Sequence, residues 1–278
     1  MVRFSRTAAR LAAAVLAAGL ALASAGAEAA MADDFSVKPE VTALSARPRA
    51  AIIIGNSYTY YNCGLLDYLW GFSGASKTAK LATQMATVAG AGLDWHDVKG
   101  LIDPVGKSWS YAFRKENGRI FDAVILQGNS LEPIDARMKD DYRRWAAVHA
   151  KTIRETGAEP LFLMTWAREG KPEMTRQLAD ATIAVANENR AMVIPAGLAF
   201  AEVKRAHPEI TLIMPDKSHP TAAGSYLASA VIWSALMREP LAGNSFLGGC
   251  EKPLPPETAK ILQDTAWEVT SKFFGWER

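Results

Sequence analysis

Ala50-Ala51-Ile52-Ile53-Ile54-Gly55-Asn56-Ser57 passes from an unbroken apolar stretch into a glycine, a turn-forming asparagine and a serine. A continuous apolar run of this length fits a strand buried on both faces, as in a parallel sheet covered by helices. Leu65, Leu66, Tyr68, Leu69 and Trp70 follow as the apolar face of a helix, so the serine falls where the carboxyl end of a strand meets a helix. Open α/β sheets bind their ligands along that edge.

The alternation continues downstream. A strand is expected near Leu81, another over 121–126, a helix over 139–155, a strand over 160–166, a helix over 172–188, a strand over 191–195 and a helix over 220–237. Alternating elements of this kind predict an α/β fold, a three-layer α/β/α sandwich around a flavodoxin-like parallel sheet of about five strands. Pro220 is expected at the first position of its helix, pinning the preceding loop from behind.

That loop reads Asp216-Lys217-Ser218-His219. A serine at a strand end and a D-x-x-H far downstream supply a nucleophile, a base and an orienter for the base, the set that acyl transfer needs. Ser57, His219 and Asp216 are the candidates. Phe121-Asp122-Ala123-Val124-Ile125-Leu126 ends in Gln127-Gly128-Asn129-Ser130, where the Asn129 amide can turn toward the same reacting oxygen as the Ser57 N–H. Between these strands, Met85-Ala86-Thr87-Val88-Ala89 leads into Gly90-Ala91-Gly92, where a residue without a side chain lets a backbone N–H approach closely. Three donors around one nucleophile make an oxyanion hole.

Taken in this order, the set resembles the SGNH (GDSL-type) hydrolase superfamily, over residues 47–238. The resemblance implies Ser57 as nucleophile, His219 as base, Asp216 as third triad member, and Ser57, Gly90 and Asn129 as oxyanion-hole residues, with Gly92 the alternative to Gly90. Asn56 stands in place of the usual aspartate, and Gln127-Gly128-Asn129-Ser130 in place of G-x-N-D; the strings are similar to a divergent bacterial subgroup. The chemistry implied is a serine esterase acting on carboxylic esters; the flat aromatic side chains near these loops, Tyr58, Tyr60, Tyr61, Trp95 and Trp166, would suit sugar rings or aryl groups, and acetyl or other short acyl groups on carbohydrate are the leading expected substrate class. Two other classes stay open: an inactive carbohydrate-binding protein on the same fold, and a flavodoxin-like phosphate or flavin binder.

Other residues weigh less. Trp166 at a strand end, Tyr58 beside the nucleophile and His96 after the glycine loop are candidate substrate contacts, whereas Tyr68, Trp70 and Trp233 read as helix-face core. His149 and His207 read as surface residues. No H-E-x-x-H, H-x-x-E-H or Cys/His cluster is present, so neither metal nor cofactor is implied. Residues 100–108 end in Gly-Lys-Ser, but five residues separate the two glycines and the phosphate-loop pattern fails. No G-x-S-x-G elbow occurs.

Arg3, Arg6 and Arg10, an alanine-rich apolar run to Ala23 and a small-x-small site at Ala27-Glu28-Ala29 predict a secretory leader over residues 1–29. Residues 30–46 then form an N-terminal extension, and 47–278 a single domain. The expected location is periplasmic or secreted, with no stable membrane anchor. Nearly half the 278 residues are apolar, and a net charge of +2 gives no reason to invoke nucleic acid. Cys63 and Cys250, the only two cysteines, are candidates for a disulfide; the alternative is two thiols.

Overall fold

The computed structural model describes residues 34–104, 115, 118–250 and 252–276. The expected leader and the Gly-Lys-Ser of 106–108 lie outside them. Five strands form one sheet, β1 (Ala50–Gly55), β2 (Ala82–Thr87), β3 (Ala123–Leu126), β4 (Glu159–Leu163) and β5 (Met192–Ile194), in the order β2-β1-β3-β4-β5. All pairings are parallel. Every residue of β1 and β3 is buried, which is why both read as unbroken apolar runs, whereas edge strand β2 is only half-buried.

Helices follow the strands. The short α1 (Ser57–Tyr60) and α2 (Gly64–Ala75) leave β1, α3 (Val98–Ile102) follows β2, α4 (Lys139–Glu155) follows β3, and α5 (Met174–Glu188) follows β4. After β5 come α6 (Ala196–Ala206), α7 (Ala222–Met237) and α8 (Pro256–Phe274). Helices α2 and α7 pack together on one face, α4 and α5 on the other. The chain steps from β1 outward to β2 and then returns to β3 on β1's other side, so the topological switch point lies between β1 and β3. Gly55 pairs with Thr87 and Ile54 with Leu126, so the three strands finish level and their loops emerge side by side.

Besides the short α1 and α3, two longer helices lie beyond the expected set. Residues 196–206 form α6, and the C-terminal stretch folds as α8, whose Leu262, Ala266, Val269 and Phe273 are buried. Because α8 covers its outer side, α7 is buried from Gly224 to Met237, which accounts for a helix apolar all round. Pro220 is not its first residue. Thr221 caps α7 with a hydroxyl that accepts the Gly224 N–H at 3.1 Å, a bond no proline can make, and Pro220 stands one place earlier, bridged to Ile213. Residues 34–46 pack along the domain: Phe35, Val37, Val41 and Leu44 touch the core, and Asp180 accepts the Ser36 hydroxyl and the Ser36 and Val37 N–H groups.

Cys63 and Cys250 are bonded across 187 residues, with their α-carbons 5.4 Å apart. Asn62, Cys63 and Gly64 all carry positive φ, at 50°, 72° and 71°. That left-handed turn is tied down by the bond, by the Tyr68 hydroxyl donating to Asn62 O at 3.0 Å and by the Ser225 hydroxyl donating to Tyr61 O at 3.0 Å. A bridge enclosing so long a loop restricts the unfolded chain by at most about 5 kcal/mol. Denatured, unreduced protein should therefore titrate no thiol, and Cys250→Ser should lower the melting midpoint by several degrees; two thiols per chain would reject the bond.

Candidate active site

Ser57 opens α1 directly beyond β1, and its hydroxyl lies 2.8 Å from His219 Nε2. His219 Nδ1 lies 2.7 Å from Asp216 Oδ2. The carboxylate can only accept, so the imidazole carries its proton on Nδ1 and leaves Nε2 free to accept the Ser57 O–H. Burial alone would raise the Asp216 carboxyl; hydrogen bonds from the His219 ring and from the Ser218 and His219 N–H groups outweigh it and hold the group below its usual range. Asp216 Oδ1 accepts those two N–H groups at 2.9 and 3.0 Å, folding the D-x-x-H loop around the carboxylate. Met214 N–H to His219 O at 2.8 Å and Thr221 N–H to Leu212 O at 2.9 Å close the base of the loop like a small hairpin.

Asn56 joins the three loops. Its Nδ2 donates to Ala91 O at 2.8 Å in the loop after β2 and to Gly128 O at 3.0 Å in the loop after β3. Its Oδ1 accepts Tyr58 N–H at 3.2 Å, and its own N–H donates to Gln127 Oε1 at 3.0 Å. A Cβ at Gly55 would lie 2.6 Å from that Gln127 oxygen, so only glycine fits there. The asparagine at this position is thus a double donor, which an aspartate cannot be.

The oxyanion candidates lie around the same junction. Asn129 Nδ2 donates to Gly90 O at 3.2 Å, which leaves one amide hydrogen over. Gly90 has φ 71° and open space where a Cβ would stand, and neither its N–H nor that of Ser57 donates to a protein group among the described residues. Gly92 is crowded instead: a Cβ there would come within 2.8 Å of Asp94 and 2.9 Å of Glu132.

Three expected substrate contacts are placed differently. Tyr58 is 3% exposed and Trp166 1%. Trp166 is stacked between Tyr58, at 4.8 Å, and Phe200, at 4.1 Å, and donates its Nε1–H to Ser218 O at 3.1 Å. The Tyr58 hydroxyl meets Ser218 Oγ at 2.6 Å, so both rings hold the D-x-x-H loop from beneath. His96 is buried as well; burial first, then the nearby His149, pushes its pKa down. His149, expected at the surface, is buried on the inner face of α4 and donates to Leu93 O at 2.8 Å. Trp70, expected in the core, is 52% exposed.

What the sequence reading passed over is Glu132, and with it the contact that Tyr61 makes with the base candidate. The Tyr61 ring stacks on the His219 imidazole, with centroids 4.0 Å apart and planes 13° from parallel. Glu132 is a buried carboxylate beneath the loops after β2 and β3. The signal for it was Asn129-Ser130-Leu131-Glu132, an N-x-x-E capping-box spacing. Tyr60 and Trp95 are exposed large aromatics on the segments that follow Ser57 and Gly90.

Replacing Asn56 by aspartate would turn two donated hydrogen bonds into oxygen–oxygen repulsions in a buried site. Asn56→Asp should cost about 1–3 kcal/mol or more in denaturant unfolding, the range for buried unsatisfied groups. A variant as stable as the parent would show that the three loops do not depend on this amide.

No family model matches the chain, and no curated protein matches it. Solved structures do. A DUF4886 family protein from Bacteroides uniformis superposes with a TM-score of 0.58 at 18% identity, over 79% of this chain and 93% of that one. A candidate SGNH hydrolase from Slackia heliotrinireducens gives 0.50 at 21% identity, over 70% and 99%. An acetyl-xylooligosaccharide esterase from Geobacillus gives 0.50 at 14%, over 70% and 95%. At these identities the likeness lies in the backbone, and it is enough to say that this chain has the α/β/α fold of the SGNH hydrolases.

Proposed function

We propose that this chain is an exported serine hydrolase that cleaves carboxylic esters, with short acyl groups, acetyl first among them, on carbohydrate as its substrate class. The observation that carries the reading is the unbroken line from Ser57 Oγ through His219 to Asp216, at 2.8 and 2.7 Å. That is hydrogen-bond reach for both a nucleophile and its base and a base and its orienter.

In this reading Ser57 Oγ attacks the acyl carbon while His219 Nε2 takes the hydroxyl proton. Asp216 holds the Nδ1–H tautomer and stabilises the imidazolium that forms. The negative charge gathering on the former carbonyl oxygen meets the Ser57 N–H, the Gly90 N–H and the remaining Asn129 amide hydrogen. Gly90 is preferred to Gly92 because the space beside it is open, whereas Gly92 is pressed against carboxylates. His219 then returns its proton to the leaving alcohol. Water, activated by the same imidazole, cleaves the acyl-enzyme.

The carbohydrate preference rests on exposed Tyr60 and Trp95, flat surfaces suited to sugar rings, and on the fold shared with an acetyl-xylooligosaccharide esterase. Export rests on the leader-like first residues and fits a bonded cysteine pair.

A fluorophosphonate probe should label the parent protein and not Ser57→Ala. Ser57→Ala and His219→Ala should each lose nearly all turnover of p-nitrophenyl acetate, because members of a catalytic unit lose their effect together. Substantial hydrolysis by purified Ser57→Ala would sink the assignment. Asn129→Ala should lower kcat by roughly 10²–10³-fold with little change in KM, the loss measured for one oxyanion donor. A loss confined to KM would mark Asn129 as a binding residue instead.

A further inference from the structure

Glu132 takes no part in the proton transfers above, yet it lies where their geometry is set. It is 3% exposed and the only buried acidic side chain among the described residues. Its Oε2 accepts Asn129 N–H at 2.7 Å, and its two oxygens accept Leu93 N–H at 3.2 and 3.3 Å. One carboxylate therefore spans the loop after β2 and the loop after β3. Room is made for it on both sides: a Cβ at Gly92 would come within 2.9 Å of Oε1, and one at Gly128 within 2.3 Å of Oε2.

Each partner passes the restraint on. Asn129, held through its backbone by Glu132, accepts Leu131 N–H on Oδ1 at 3.1 Å and directs its amide nitrogen to Gly90 O. Leu93 is held at its N–H by Glu132 and at its carbonyl by His149. Two N–H groups converging from different loops need an acceptor that can take both at once. A carboxylate meets that need, and its charge-assisted bonds are roughly twice as strong as neutral ones. An amide at this position would turn an NH₂ toward one of the two donors. Burial pushes the Glu132 carboxyl above its ordinary range, against the pull of the two N–H bonds.

We propose that Glu132 is a positioning residue for the oxyanion hole, fixing the Asn129 amide relative to the Gly90 loop and to Ser57. The proposal rests on the serine-hydrolase reading. If Glu132 merely capped the turn at 129–132, its loss would register in stability and leave the chemical step alone. If it positions Asn129, its loss would register in kcat and depend on Asn129 being present.

A double-mutant cycle decides between them, with p-nitrophenyl acetate as substrate. Glu132→Gln should lower kcat by roughly 10- to 100-fold, the scale of a small misplacement of a catalytic group, with KM within about 3-fold of the parent. In an Asn129→Ala background the same change should lower kcat less than about 3-fold, because the group it positions is gone. Equal losses in both backgrounds, or a lowered melting midpoint with kcat unchanged, would overturn the proposal. Should Glu132→Gln fail to fold, Glu132→Asp, which keeps the charge but reaches one methylene less, is read by the same criteria. Ser57→Ala run alongside separates the two failures. Turnover by that variant sinks the serine-hydrolase reading itself, whereas an inactive Ser57→Ala with an additive cycle sinks only the role of Glu132.

Discussion

A single amide, that of Asn56, sits where the loops leaving β1, β2 and β3 converge, and the arrangement of the site depends on it. The sheet brings the three strands to a common end, but the loops beyond have no ladder to hold them. Two N–H bonds to Ala91 O and Gly128 O replace the ladder at that point. Without them the Ser57 segment would lose its tie to the Gly90 and Asn129 loops, which Glu132 joins to each other. Buried carbonyls left unpaired cost free energy, so the junction resists opening as a unit.

The loop bearing Asp216 and His219 is fixed by different means. Its base is closed by backbone bonds, its underside rests on the Tyr58-Trp166-Phe200 stack, and the His219 ring lies against Tyr61. Aromatic stacking sets direction with only two torsions per residue to freeze, which makes it an economical support for an imidazole that must keep one orientation. Hydrogen bonds alone thus join the Gly90 and Asn129 loops, whereas ring stacking is added to them behind His219. The two systems meet at Ser57.

Much of this was legible in the chain because buried parallel strands write themselves as unbroken apolar runs, and Ile52-Ile53-Ile54 and Val124-Ile125-Leu126 are such runs. Ser57, Asp216 and His219 could be singled out only together: a polar residue in a strand-to-helix turn is ordinary by itself, whereas a nucleophile, a base and an orienter in one chain form a set. Less legible was the direction of rings near the carboxyl edge. Trp166 and Tyr58 could have faced a ligand or the protein, and only the packing of α6, absent from the expected elements, decides that they face inward. Trp70 lies beside, not on, the buried stripe of Leu65, Tyr68, Leu69 and Phe72, a distinction the 3.6-residue period already contained. The same period places His149 with Tyr142, Ala146 and Ile153 on the inner face of α4. Glu132 was hidden for another reason: one of its two partners, Leu93, is 39 residues away, and no local pattern reports such a bond.

The sheathing of α7 by α8 bears on how the protein comes into being. As the chain emerges from the ribosome, the strand that leads to Ser57 comes first, His219 more than 160 positions later, and α8 later still. Until α8 arrives, α7 shows an apolar side to its surroundings. An apolar helix face left uncovered invites association, so the interval before α8 docks is when the nascent chain is most open to misassembly. Synthesis order thus sets the moment at which the site can first assemble.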